Sequence, residues 1–227
     1  MPNTFSLSGK KAELADLYFE SGTVKFGAFK IAAHETLPNL PLSPLYMHYP
    51  KEDEPGCEML PKIYKLIGEL FAEIIQAEQI KFTKLCAVPR GADPLAVQAA
   101  KALELSDELV LTFDKRVING KRTFSGPTSG EVSNTDTILV LDDHTSTGYS
   151  KTLFIDYLES LGATVSDVLT VVDRQQGATE YLESRNVTMY SIITISTLVD
   201  YYLAQGLITQ DQVTAVGKYL AQAQVKL

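Results

Sequence analysis

Apolar positions along the chain predict strands that alternate with helices from about residue 60 onward. Apolar residues at i, i+3 and i+4 spacing indicate one helix over about 60–78. Short apolar runs then predict five strands, at 85–88, 109–113, 137–141, 164–172 and 187–193. Further helices are predicted at 93–103, 150–161, 178–185 and 196–205, with a packing helix after 209. Because such apolar strands must be covered on both faces, we expect a doubly wound α/β fold with a mainly parallel five-stranded sheet.

The N-terminal part of the chain has a different pattern. Five prolines lie between residues 34 and 57, and they disfavour long regular elements there. We expect residues 1–60 to form a small hood over an α/β core of residues 61–227. A chain of 227 residues that is 45% apolar can bury one sizeable core. Hood and core are therefore expected to form one structural domain.

Composition narrows the classes of function. The chain carries 28 acidic and 20 basic residues, a net charge of −8, which argues against a nucleic-acid or acidic-membrane partner. It has no apolar run of membrane-spanning or signal-peptide length, so we expect a cytoplasmic protein. Two cysteines, Cys57 and Cys86, and three scattered histidines argue against a disulfide framework or a structural zinc site.

The most informative segment is TILVLDDHTSTGYS at 137–150, an apolar strand followed by two acids and a hydroxyl-rich turn before a helix. Backbone amides and hydroxyls in such a turn, with the positive end of the helix, can hold a phosphate. Gly148 permits a left-handed backbone. Asp142 and Asp143 would repel a phosphate, but their acceptor oxygens suit the hydroxyls of a sugar that carries it. The Walker and dinucleotide-binding glycine motifs are absent.

Residues 138–150 resemble the phosphoribosyl pyrophosphate (PRPP) signature of type I phosphoribosyltransferases, and the flanking segments resemble the orotate phosphoribosyltransferases in particular. Four further patches are similar to that family. They are LYFESGTVKFGAF at 17–29, SPLY at 43–46, AVPRGADPLAV at 87–97, and DRQQG at 173–177 with SIIT at 191–194. The matches run in order over about 17–200.

The resemblance implies a role for each matching residue. Asp142 and Asp143 would hold the ribose hydroxyls, and Arg90 would contact the pyrophosphate. The 5-phosphate would be held by the turn residues Thr145, Ser146, Thr147, Gly148, Tyr149 and Ser150. Orotate would be bound by Tyr46, Ser146 and Arg174, whose guanidinium fits a carboxylate. The catalytic set would be Asp142, Asp143, Lys115, Arg116 and Lys121.

The resemblance also implies the partners. The substrates would be PRPP and orotate, with Mg²⁺ carried by PRPP and no direct protein ligand for the metal. A homodimer is implied, whose mobile loop at about 115–126 reaches the neighbouring active site. The apolar residues Leu14, Leu17, Tyr18 and Phe19 are compatible with an interface, since a small domain does not easily bury them alone.

Some positions depart from the family pattern and leave alternatives open. The loop DKRVINGKRTFSG lacks the usual histidine, and Ala32 stands where the family has a lysine. His48 and His144 are expected to pack or to face solvent. The first hypothesis is an orotate phosphoribosyltransferase that forms orotidine 5′-monophosphate. The others are a type I phosphoribosyltransferase for another base, and a PRPP-binding regulator with a degenerate catalytic loop.

Overall fold

A computed structural model describes residues 7–30, 41–89, 91–118 and 121–223. The strands are β1 (Val24–Phe29), β2 (Ser43–Met47), β3 (Lys84–Ala87), β4 (Val110–Ile118), β5 (Lys121–Ser129), β6 (Ile138–Thr145), β7 (Asp167–Asp173) and β8 (Thr188–Thr194). The helices are α1 (Gly9–Glu20), α2 (Leu60–Ala77), α3 (Asp93–Ala102), α4 (Tyr149–Ser160), α5 (Ala178–Glu183), α6 (Ile195–Ala204) and α7 (Gln210–Ala223). None of the described helices is both long and apolar enough to cross a membrane.

The central sheet confirms the predicted α/β class and adds one strand. Within the described residues its order is β5-β4-β3-β6-β7-β8. The five predicted strands are β3, β4, β6, β7 and β8, and they pair in parallel. The additional strand, β5, lies antiparallel to β4 at one edge. The sheet is therefore mainly parallel but has six strands instead of five.

Both faces of the sheet are buried, as the apolar strands require. Along β6, Leu139 and Leu141 belong to one hydrophobic cluster, while Ile138 and Val140 belong to a second cluster on the opposite face. The first cluster includes residues of α2, α3 and α6, and the second includes residues of α4 and α5. Helices therefore cover both faces, which confirms the doubly wound arrangement.

The segment 115–126 is predicted as a mobile loop, but its described residues have regular strand structure, and its mobility stays a prediction. Residues 114–118 and 121–125 form a β-hairpin, here called the basic arm, in which Lys115 pairs with Phe124 and Arg116 with Thr123. Phe124 anchors the second strand, because its ring lies 5.0 Å from Phe154 and 5.9 Å from Tyr157 on α4. These apolar contacts hold the segment against α4 as a strand, although most of its residues are polar.

The hood contains the antiparallel pair β1 and β2, in which Val24 lies opposite Met47. Helix α1 precedes them, and it corrects the argument for an apolar interface. Leu14, Leu17 and Tyr18 are buried within the chain itself, and the Phe19 ring packs 5.2 Å from Tyr202 on α6. Leu14, Leu17 and Tyr18 are therefore not available to a second subunit, whereas Phe19 is half-buried, and the homodimer stays a prediction. The division into a hood and a core also stays a prediction.

Candidate active site

The candidate site lies where β6 and β7 end side by side. β6 extends beyond the predicted 141 to Thr145, which pairs with Asp173 at the end of β7. The backbone N–H of Arg174 donates to the Thr145 carbonyl at 2.8 Å. The carboxyl ends of neighbouring parallel strands are the usual ligand position in such sheets. The phosphate turn and Arg174 are thus brought to one edge.

The turn after β6 has the geometry of an anion cradle. Gly148 has a left-handed φ of +79° and is the N-cap of α4, so the chain turns directly into the helix N-terminus. Thr145 is fully buried, and its hydroxyl has no hydrogen-bond partner among the described residues. Ser146 and Thr147 are half-buried and Tyr149 is exposed, while the Ser150 side chain lies outside the description. A phosphate at this helix end would meet backbone amides and hydroxyls.

Asp142 is paired with a lysine that sequence reasoning missed. The ammonium group of Lys151 contacts Asp142 Oδ2, and Lys151 is only 3% exposed. Burial raises the pKa of Asp142 to about 6, with Asp143 adding to the rise and Lys151 opposing it. In the sequence, this lysine directly follows the hydroxyl-rich turn, and that position could have indicated the pair.

Asp143 is paired with the next residue in the chain. His144 Nδ1 lies 3.4 Å from Asp143 Oδ2, and the His144 backbone N–H donates to Asp143 Oδ1 at 2.6 Å. Burial alone would raise the pKa of Asp143, but His144 holds it well below its usual range. The His144 ring packs against Tyr18 and Tyr49, with ring centroids 6.2 Å and 5.6 Å away. The histidine therefore packs, as expected, and it also favours the ionised form of Asp143 by lowering its pKa.

A second set of side chains lies on the hood side of Arg174. The guanidinium donates from Nη2 to Ser43 Oγ on β2 at 3.3 Å. Burial lowers the pKa of Arg174, while Tyr219 and Tyr46 oppose that change, which places both tyrosines near the guanidinium. The Tyr46 ring stacks on Phe29 at 5.6 Å. The structure thus brings together Arg174 and Tyr46, both predicted, with Tyr219, which was not.

Only part of the predicted pyrophosphate-binding side lies within the described residues. A Cβ atom at Gly91 would lie 3.6 Å from Asp143 Oδ2, so the 87–97 loop approaches the acid pair Asp142 and Asp143. Arg90 lies outside the described residues, as does the Lys121 side chain. Partial burial and Arg122 lower the pKa of Lys115, and Asp142 and Asp143 oppose this, so Lys115 lies on the side of the acid pair.

Because side chains alternate along a strand, the cationic residues of the basic arm lie on two different faces of it. Lys115 and Arg116 are adjacent on β4 and therefore point to opposite faces. Arg122 pairs with Val117 and so shares the face of Lys115. Arg116 is exposed, and Lys115 is also exposed although neighbouring groups reduce the hydration of its ammonium group. The face of the arm nearest the acid pair carries Lys115 and Arg122.

The protein offers few metal ligands. In the part of the chain that the structure describes, no group of three or more histidine, cysteine, aspartate or glutamate side chains converges on one point. The two adjacent carboxylates at the end of β6, Asp142 and Asp143, are engaged by Lys151 and His144. This donor set fits a hard cation that arrives with its own oxygen ligands, and it does not fit a cation held entirely by protein.

Comparison with known proteins gives a consistent family. The family described as phosphoribosyl transferase domain matches residues 58–205. The orotate phosphoribosyltransferase of Pyrococcus abyssi is 30% identical over 190 residues, which cover 84% of this chain and 96% of that protein. The uridine 5′-monophosphate synthase of Bos taurus is 28% identical over 180 residues, and the match spans only 35% of that longer protein.

Solved structures share the fold. The UMP synthase of Leishmania donovani superposes with a TM-score of 0.74 at 24% identity, over 94% of this chain and 43% of that one. The orotate phosphoribosyltransferase of Aeropyrum pernix superposes with a TM-score of 0.64 at 22% identity, over 86% of this chain and 99% of that one. The overall fold is therefore shared with both proteins.

Proposed function

Because this chain belongs to the phosphoribosyltransferase domain family and, within it, to the orotate phosphoribosyltransferases, we propose that it transfers the phosphoribosyl group of PRPP to orotate. The products are orotidine 5′-monophosphate and pyrophosphate. In this reaction orotate N1 loses its proton and bonds to ribose C1, while the bond from C1 to the pyrophosphate oxygen breaks.

The observation that carries the choice of orotate is the environment of Arg174. Its backbone N–H donates to Thr145 beside the phosphate cradle, and its partly buried side chain donates from the guanidinium to a neutral hydroxyl, Ser43 Oγ. Among the described residues, no carboxylate forms a salt bridge with it. A partly desolvated guanidinium without an anionic partner favours a carboxylate ligand, which it can bind through two hydrogen bonds. Orotate carries such a carboxylate and uracil does not.

The PRPP half of the site follows from the β6–α4 turn. The cradle of residues 145–150 holds the 5-phosphate, with the helix N-terminus supplying amides and positive potential. Asp142 and Asp143 accept from the ribose hydroxyls. Asp143 is the better placed to remain ionised, because His144 keeps its pKa low. The acids thereby orient the ribose for attack at C1.

The leaving group requires positive charge, because pyrophosphate departs as C1 gains oxocarbenium character. Lys115 and Arg122, on the face of the basic arm nearest the acid pair, supply it together with Arg90, while Arg116 and Lys121 belong to the same arm. Mg²⁺ carried by PRPP would neutralise further charge on the pyrophosphate. The homodimer and the cytoplasmic location expected from the sequence are also part of the proposal.

The test separates the two halves of the site by mutation. Arg174→Ala should leave PRPP binding intact and lower kcat/KM for orotate by roughly 30- to 1000-fold, the loss expected for a partly desolvated charge pair worth about 2–4 kcal/mol. Asp142→Ala should weaken PRPP binding whatever the base. The matched control is Arg185→Ala, since Arg185 pairs with Asp156 on α4, away from the cradle.

The measurements are orotate consumption with PRPP and Mg²⁺, followed by spectrophotometry, and the same assay with uracil. Uracil turnover should be nearly indifferent to Arg174→Ala because uracil lacks the carboxylate. Equal losses for orotate and uracil would contradict the choice of orotate and favour a phosphoribosyltransferase for another base.

A second candidate function is a PRPP-binding regulator. The observation that favours it is the contact between Lys151 and Asp142, which engages a carboxylate needed by the ribose, together with the missing loop histidine. The same assay distinguishes it, because a regulator would bind PRPP without consuming orotate.

A further inference from the structure

Helix α7, which the sequence predicts only as a packing helix, carries a side chain to the base side of the candidate site. Tyr219 is 4% exposed and belongs to a small cluster with Phe29, Tyr46 and Ala223. Its effect on Arg174 places its phenol group near the guanidinium. Helix α7 thus lines the same side of the site as Arg174 and Tyr46, and this lining is here called the wall.

Gln176 joins Tyr219 in this wall. It lies two residues after Arg174, is 1% exposed, and donates from Nε2 to the Tyr219 hydroxyl at 3.3 Å. Its other amide atom, Oε1, is buried and has no hydrogen-bond partner among the described residues. A buried acceptor without a partner is costly, and such groups in native proteins commonly serve a ligand.

The chemistry of the ligand follows from the acceptor. A carboxamide oxygen requires a donor, and a pyrimidine such as orotate offers two ring N–H groups. N1 is the reacting nitrogen and loses its hydrogen, so N3–H is the donor that remains through the reaction. On the basis of the proposed function, we infer that Gln176 Oε1 accepts a hydrogen bond from N3–H of the base, and that Tyr219 is the positioning residue that orients the Gln176 amide.

This arrangement divides recognition of the base between two neighbouring side chains. Arg174 recognises the carboxylate, which distinguishes orotate from uracil. Gln176 recognises the ring N–H, which distinguishes a pyrimidine with a free N3 from one substituted there. Because a buried acceptor left unpaired penalises the wrong ligand, such a site rejects analogues strongly. Tyr219 links the Gln176 amide to α7 through its hydroxyl group.

The test uses the full chain with the variants Gln176→Leu and Tyr219→Phe. Gln176→Leu should lower kcat/KM for orotate by roughly 5- to 100-fold, as expected when a buried hydrogen bond to a ligand is lost. Tyr219→Phe should raise the KM for orotate by roughly 3- to 10-fold, because the amide loses its anchor. The KM for PRPP should change by less than about twofold in both. Tyr202→Phe is the matched control, because Tyr202 is buried and its hydroxyl donates to the Ala15 carbonyl, outside the base side of the site.

A second measurement does not depend on how much of a variant folds. The ratio of kcat/KM for orotate to that for 3-methylorotate should be large in the unaltered protein and should fall by roughly tenfold in Gln176→Leu, because the acceptor that favours N3–H is gone. An unchanged ratio in Gln176→Leu, with the unaltered protein active on orotate, would overturn this inference alone. An unaltered protein that consumes no orotate would overturn the proposed function and this inference with it.

Discussion

The buried carboxyl group of Asp142 should make the stability of the protein rise as the pH falls from 7. The perturbation is acidification, compared between the unaltered chain and Asp142→Asn, which keeps the shape of the side chain but cannot titrate. Asp142 is 7% exposed, and burial with the neighbouring Asp143 raises its pKa to about 6 in spite of Lys151. The folded chain therefore takes up a proton at a higher pH than the unfolded chain does.

The magnitude follows from the linkage between protonation and folding. Each pKa unit of difference between the folded and unfolded chain corresponds to about 1.4 kcal/mol. The difference between a pKa of about 6 in the folded chain and the ordinary pKa of 3.8 in the unfolded chain thus corresponds to about 3 kcal/mol of folding free energy in total. Between pH 7 and pH 4.5, about 2 kcal/mol of this is gained. Asp143 contributes with the opposite sign, but its contribution is lost only below its ordinary value of 3.8, outside this interval.

The assay is urea unfolding at several pH values between 4.5 and 7. The free energy of unfolding of the unaltered chain, relative to that of Asp142→Asn, should rise by about 2 kcal/mol as the pH falls. Asp136→Asn is the matched control. Asp136 is also buried and paired with a lysine, at 3.1 Å from Lys84, but its pKa is lowered, because hydrogen bonds from Ser133 and Lys84 outweigh burial. The difference in free energy of unfolding between Asp136→Asn and the unaltered chain should not change with pH. A flat difference for Asp142→Asn as well would refute the reasoning.

Two further predictions concern packing and the basic arm. A Cβ atom at Gly68 of α2 would lie 2.5 Å from the Gln98 carbonyl carbon of α3, so Gly68→Ala should lower the free energy of unfolding by about 2 kcal/mol. Gly217→Ala in α7, where a Cβ atom meets nothing within 4 Å, should instead stabilise the chain by about 0.5–1 kcal/mol, and equal effects in thermal unfolding would contradict the close approach. Lys115→Ala should lower kcat by roughly 10- to 100-fold with little change in the KM for orotate, because it removes charge that acts on the leaving group. The exposed Lys101 of α3 is the control, and an effect of Lys115→Ala on the KM for orotate alone would contradict this role.

The order of strands and helices could be predicted from the sequence because the apolar runs of the core are buried on both faces. The strand predicted at 137–141 and the helix predicted at 150–161 correspond to β6 and α4. β5 was missed because its residues, KRTFSGPTS, are mostly polar, and Phe124 is the one large apolar residue among them. An edge strand with a single large apolar side chain leaves little periodic signal.

The positions of the site residues were easier to predict than their partners. The acids and the hydroxyl-rich turn are contiguous in sequence, so one strand and one helix N-terminus determine where they lie. Tyr219 lies 43 residues after Gln176 and meets it only because α7 packs against β2. No spacing rule links two such residues. Contacts between distant elements depend on packing, which a single sequence does not display.

The charge state of the acid pair shows why these partners matter for chemistry. Asp142 is buried and the adjacent Asp143 is half-buried, so the two carboxylates repel each other and lose hydration, and both cannot stay ionised without compensation. The chain compensates them unequally. His144 lies beside Asp143 and lowers its pKa, whereas burial still prevails at Asp142 although Lys151 contacts it. In the proposed function, Asp143 then offers an ionised acceptor to the ribose throughout the neutral range. Asp142 becomes fully available only when a ribose hydroxyl or a nearby cation adds to the effect of Lys151. Binding of PRPP with Mg²⁺ should therefore lower the pKa of Asp142 and release a proton at pH 6, which calorimetry in buffers of different ionisation enthalpy can detect.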